Sequence, residues 1–136
     1  MKKLTPLLLI LIITSCDTIV EFDPDLTRTF SIQSVSNGAN YNIKVGLPEN
    51  YSPQSQKYAA IYVLDGEEIF DFVADKCKNI SSNFSTSNVL VVGIGYGNDR
   101  TVDYTPTKTN DGDGGAEEFM LFIKNELIPK MERMKF

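Results

Sequence analysis

Tyr58-Ala-Ala-Ile-Tyr-Val-Leu-Asp-Gly66 is the stretch whose reading decides the fold. Residues 59–64 show no polar alternation, the mark of a strand covered on both faces, as in a parallel sheet flanked by helices. Asp65-Gly66 then breaks the run as a turn. Upstream, Tyr41-Asn-Ile-Lys-Val-Gly-Leu47 alternates like a half-buried strand, and Pro48 removes a ladder donor, so this strand is expected at a sheet edge. Downstream, Asn88–Ile94 (NVLVVGI) is a second continuous apolar run, bounded by Ser-Thr-Ser and by Gly95-Tyr96-Gly97. Two such strands predict helices on both faces.

The covering helices are legible. Over residues 67–77, Ile69, Phe70, Phe72, Val73 and Cys77 recur at helical spacing, which predicts a short amphipathic helix. Between Ala116 and Met134, a stripe of Phe119, Phe122, Ile123, Leu127, Met131 and Met134 follows Glu117 and Glu118, which favour a helix N-terminus. Pro129 should kink that helix or end it early. Strand, helix, strand, helix, preceded by antiparallel strands near residues 30–35 and 41–47, gives an α/β sheet with right-handed crossovers.

In this order the residues resemble a family. Residues 41–48, Asn50-Tyr51, Ile61-Tyr-Val-Leu-Asp-Gly66 with Phe70, Val91-Val-Gly-Ile94, Arg100, Asp103-Tyr-Thr-Pro106, Gly114-Gly-Ala-Glu117 and Glu126-Leu-Ile-Pro129 are similar to the esterase family of α/β-hydrolases. It includes siderophore (enterochelin-type), feruloyl and acetyl-xylan esterases and related mycolyltransferases. The resemblance implies the N-terminal half of an α/β-hydrolase sheet, with antiparallel edge strands followed by parallel strands and crossover helices. It also implies a Ser-His-Asp/Glu hydrolase of small-molecule or polysaccharide-linked esters, with no cofactor. The family's nucleophile lies in a G-x-S-x-G elbow on the strand that would follow Met134. No G-x-S-x-G occurs here and the sequence contains 0 His, so the chain is expected to be inactive alone. By resemblance, the backbone N–H of Glu67 is an oxyanion-hole donor. The alternative is an ordinary strand-to-helix turn in which the Asp65 carboxylate caps the helix. Asp65, Arg100 and Asp103 are candidates to border a substrate cleft, since open α/β sheets bind ligands at the carboxyl ends of their strands. Equally, Arg100 and Asp103 could form a surface ion pair.

The N-terminus carries a second signal. Lys2-Lys3, an apolar run over residues 7–13 and Thr14-Ser15-Cys16 resemble a bacterial lipoprotein signal, with residues 1–15 removed and Cys16 lipidated. Residues 16–26 would form a tether, or in part a first edge strand, and residues 27–136 the truncated hydrolase domain. Removal of Lys2 and Lys3 leaves 11 basic against 18 acidic residues, a net −7. That balance disfavours nucleic acid and anionic lipid as partners, so membrane attachment would come from acyl chains on Cys16. The expected location is exported and membrane-anchored.

With Cys16 committed to lipid, Cys77 reads as a small buried hydrophobe, and without His or paired Cys a transition-metal site is not expected. Residues 110–115 (NDGDGG) are dense in carboxylate and glycine, but the twelfth position from Asp111 is Phe122 where a calcium loop requires Glu. Three hypotheses stand: part of a lipid-anchored esterase, with the strand at residues 58–64 left bare at its far edge; a non-enzymatic lipoprotein that binds a partner by strand addition; and an enzyme completed by a second polypeptide.

Overall fold

The computed structural model describes residues 26–54, 58–84, 89–108, 110 and 114–136. The expected leader, the lipidation site Cys16, nearly all of the tether and most of the Asp/Gly-rich loop lie outside the described residues. Strands β1 (Thr27–Gln33) and β2 (Asn40–Gly46) form an antiparallel hairpin in which Thr27 faces Gly46 and Gln33 faces Asn40. Its turn is closed by the Ser34 N–H donating to the Ala39 carbonyl at 2.8 Å, with Gly38 at a φ of 74° that glycine adopts without a Cβ penalty. Strand β3 (Ala59–Val63), helix α1 (Gly66–Phe84) and strand β4 (Val89–Ile94) follow, β3 and β4 running parallel. The sheet order is β1-β2-β4-β3, with β2 antiparallel to β4. This is the α/β fold expected, built from one hairpin and one parallel crossover unit.

Strand β2 is interior rather than at an edge, because it pairs with β1 on one side and β4 on the other. Pro48 lies beyond the last paired residue, Gly46, so it costs the ladder no donor. The alternation in β2 reflects unequal cover instead. Tyr41, Ile43 and Val45 are buried, while Asn42 is exposed.

Among the described residues the edge strands are β1 and β3, and the place of β3 corrects the reading of residues 59–64 as buried on both faces. Ala59 and Ala60 are exposed, and Ile61 and Leu64 keep 42% and 41% of their surface in solvent. Strand β3 has a ladder partner on one side, and α1 leans mainly on β4. Helix α1 is also longer than expected, 19 residues, because no Gly or Pro follows Cys77 to stop it before Phe84.

Helix α2 (Arg100–Tyr104), unanticipated, is capped by the Asp99 carboxylate, which accepts the Thr101 N–H at 2.8 Å. The C-terminal helix is not cut short at Pro129. It runs as α3 (Ala116–Phe122), a π turn over Ile123–Leu127 and α4 (Ile128–Arg133). In the π turn the Ile128 N–H donates to the Ile123 carbonyl, five residues back. A proline has no N–H and crowds the carbonyl four residues before it, and the wider turn gives that strain an outlet.

The two faces of the sheet bury separate cores. Tyr41, Ile43, Val45, Val92 and Ile94 pack with Phe119, Phe122, Ile123, Leu127 and Met131 of the C-terminal helix. On the opposite side Val63 and Val91 meet Phe70 and Ala74 of α1, with Val73 and Cys77 against them. Burial pushes the Cys77 thiol up, away from the reactive thiolate.

A clasp joins the hairpin to the π turn. The Glu126 carboxylate accepts the Val35 N–H and the Ser36 N–H, each at 2.9 Å, and the Ser36 hydroxyl at 2.6 Å.

Candidate active site

The carboxyl ends of the parallel strands β3 and β4 lie side by side and carry the turn from β3 into α1 and the loop from β4 into α2. In the first, Asp65 has a φ of 53°, a left-handed conformation that Asp tolerates better than most side chains. Its carbonyl accepts the N–H groups of Glu68 at 2.9 Å and Ile69 at 3.1 Å, which opens α1. Gly66 is required by a close approach. A Cβ there would stand 2.5 Å from the Ile94 nitrogen and 2.7 Å from the Gly93 carbonyl carbon, so only glycine lets the turn press onto β4.

Three side chains from the β4–α2 segment converge on Asp65. Arg100 Nε and Nη2 donate to its two carboxylate oxygens at 2.9 and 3.2 Å, a bidentate pair. The Tyr96 hydroxyl stands 3.0 Å from Asp65 Oδ1 and 3.2 Å from Glu68 Oε1, so two carboxylates share its proton. The Asp65 N–H donates to the Tyr104 hydroxyl at 3.1 Å, and the Arg100 guanidinium lies 5.7 Å from the centre of the Tyr104 ring. The Arg100 bond holds the Asp65 carboxyl below the usual carboxylate range, against the opposing effect of burial and with help from Tyr96. Burial and its two carboxylate neighbours push the Tyr96 phenol up, so it stays a neutral donor.

The Asp65 carboxylate is therefore engaged by Arg100 and Tyr96, and its main-chain carbonyl opens the helix, which corrects the carboxylate-cap alternative. The expected ion pair between Arg100 and Asp103 is not formed either. Asp103, 1% exposed, faces inward and accepts the Tyr41 hydroxyl at 3.0 Å and Asn98 Nδ2 at 3.3 Å. Asn37 Nδ2 in turn donates to the Tyr41 oxygen at 2.7 Å. Two α2 positions three residues apart thus serve different networks, Arg100 reaching the β3–α1 turn and Asp103 reaching Tyr41 of β2. Asp65 and Arg100 come together; Asp103 stands apart from them in the interior.

Glu67 lies in the first turn of α1, where main-chain N–H groups have no intrahelical acceptor. Beside it an open pocket of about 510 Å³ is lined by Asn42, Lys44, Gly66, Gly93 and Gly95 among others. Such N–H groups at a helix N-terminus can bond a developing oxyanion, and the donor's side-chain identity is immaterial. Among the described residues no cluster of three or more His, Cys, Asp or Glu side chains is arranged to hold a metal ion. Sequence reasoning missed Tyr96, Asn98, Tyr104 and Tyr41. The position of Tyr96 between two glycines directly after β4 was the available sign.

A protein-family model described as "Putative esterase" matches residues 34–135. The chain is 27% identical over 122 residues to the apo-salmochelin esterase of Escherichia coli O6:H1, an alignment covering 76% of this chain and 37% of that protein. An IroE-like serine hydrolase from Shewanella oneidensis superposes with a TM-score of 0.70 at 31% identity, over 78% of this chain and 38% of that one. The BES protein from Bacillus cereus superposes with a TM-score of 0.66 at 28% identity, over 79% and 48%. The chain thus spans about two fifths of the curated relative it matches.

Proposed function

The chain belongs to the esterase family, and on that premise we propose that it is the part of a carboxylic-ester hydrolase that supplies an oxyanion-hole donor, acting on siderophore-type esters. The observation that carries this reading is the Asp65-Gly66-Glu67 turn, set at the carboxyl end of parallel β3 and opening a 19-residue helix. The relatives' names, a salmochelin esterase and an IroE-like serine hydrolase, supply the substrate class. In this role the Glu67 N–H stabilises the negative oxygen that forms when a serine attacks the ester carbonyl, a contribution of about 3 kcal/mol to the transition state. Arg100 and Asp65 border the cleft.

With 0 His in its sequence, the chain has no imidazole to take the serine proton. The nucleophile in its elbow and the base come, in this proposal, from a further polypeptide segment. Co-expression with the polypeptide encoded downstream of codon 136, followed by a chromogenic acyl-ester assay, tests it. Hydrolysis is expected from the pair and not from the chain alone; turnover by the chain alone, or none by the pair, overturns it.

Attachment to a membrane through acyl chains on Cys16 is part of the same proposal, motivated by the leader-like residues 1–15. Incorporation of labelled palmitate into the wild-type chain and its loss in Cys16→Ser is the expected result. Equal labelling of the two would rule it out.

A further inference from the structure

We propose that Arg100, Tyr96 and Tyr104 are positioning residues that hold Asp65 in its left-handed conformation and so fix the N–H groups that open α1. This inference rests on the esterase reading of that turn. Its basis is a convergence. Three side chains within one nine-residue segment engage a single residue on every polar group it offers sideways, the two carboxylate oxygens and the main-chain N–H. The remaining group, the Asp65 carbonyl, is bonded to Glu68 and Ile69. A non-glycine residue persists at positive φ only where its surroundings over-determine it, and here they do.

The Arg100 side chain is 63% exposed and that of Asp65 20%. A pair so open to solvent adds little to the stability of the whole fold, so its effect falls on the turn it touches. The stack of Arg100 on the Tyr104 ring keeps both bonds to Asp65 in register, and Gly66 pins the other end of the turn to β4. The residues of the β4–α2 loop thereby set the geometry of donors on the β3–α1 turn. They act through Asp65, not on substrate.

The test uses amide hydrogen exchange on the full chain. Amides of Glu68 and Ile69 report opening of the turn, since both donate to the Asp65 carbonyl, and the Val45 amide between β1 and β4 serves as control. In Arg100→Gln, exchange at Glu68 and Ile69 is expected to rise about tenfold with Val45 unchanged. Arg100→Lys, which cannot form the bidentate fork, should lie between, and Tyr96→Phe should give a smaller rise. Asp65→Gly, which reaches positive φ without help, should make the turn indifferent to Arg100→Gln. No change at Glu68 and Ile69, an equal rise at Val45, or no suppression by Asp65→Gly overturns the proposal. Because the readout is structural, an esterase assay that fails leaves this result standing, and the two readings fail separately.

Discussion

The Tyr41 hydroxyl on β2 donates to the Asp103 carboxylate on α2 at 3.0 Å, joining the middle of the sheet to the loop that carries the candidate site. Both side chains are almost fully buried, 0% and 1% exposed, and Tyr41 stacks on Phe122 with ring centres 4.2 Å apart. Tyr41→Phe keeps the stack and strips a donor from a buried carboxylate, so it should cost about 1–3 kcal/mol in urea unfolding. Burial pushes the Tyr41 phenol up, above its ordinary value of about 10. Its contribution is therefore complete below the unfolded value and lost as pH rises beyond it. The gap between wild type and Tyr41→Phe should begin to narrow at about pH 10 and go on narrowing as pH rises towards the folded value.

Glu126 titrates in the opposite sense. Burial alone would raise its carboxyl, but the bonds from Ser36, Val35 and Ser34 outweigh it and hold the group below its ordinary range. Glu126→Gln should lower stability by about 1–3 kcal/mol near neutral pH, since it removes the charge from a carboxylate with four hydrogen bonds. A folded value below the unfolded one means that the stabilisation is present above about pH 4.3 and lost as pH falls through the folded value. Urea midpoints of the two proteins should converge in acid.

Gly66→Ala forces a methyl to within 2.5 Å of main-chain nitrogen, where no flexible side chain can yield. A loss of about 1–3 kcal/mol is expected, as for overpacking elsewhere. Gly38→Ala, whose Cβ meets nothing within 4 Å, is a useful contrast because its cost comes from φ alone. Thermal unfolding of both variants compares the two effects.

Ile61, 42% exposed on β3, gives the edge of the sheet an apolar surface with no Lys or Pro within the strand to blunt it. Ile61→Lys should reduce concentration-dependent association in sedimentation velocity, while the unfolding midpoint moves by less than about 0.5 kcal/mol.

Strands β2, β3 and β4 were legible because apolar periodicity and turn residues mark them within a few positions. The burial of β3 was not. The run at residues 59–64 has the composition of a strand covered on both faces, but exposure depends on which neighbours stand beside it, and composition does not carry that. Helix α2 was missed because five residues are too few to show a period. Asp65 and Arg100 were found through their place at the strand ends. Their partners Tyr96 and Tyr104 were not, since a phenol that bonds across a turn looks like any other aromatic in the sequence. Spacing of three on a helix allows an Arg100–Asp103 pair, and its replacement by Arg100–Asp65 and Tyr41–Asp103 depends on which strands α2 packs beside, which the sequence does not carry.

The wide turn at Ile123–Leu127 works as a phase corrector. The buried side chains Phe119, Ile123, Leu127 and Met131 step by four residues, slightly more than one α-helical turn, so in a regular helix their line would creep round the cylinder. One overwide turn absorbs the accumulated creep, returns Leu127 and Met131 to the sheet, and places Glu126 within reach of the hairpin. Chain length between Phe122 and Ile128 is thus a tuned quantity: deleting a single residue there would rotate everything after it by roughly a quarter turn and detach both the sheet contact and the clasp.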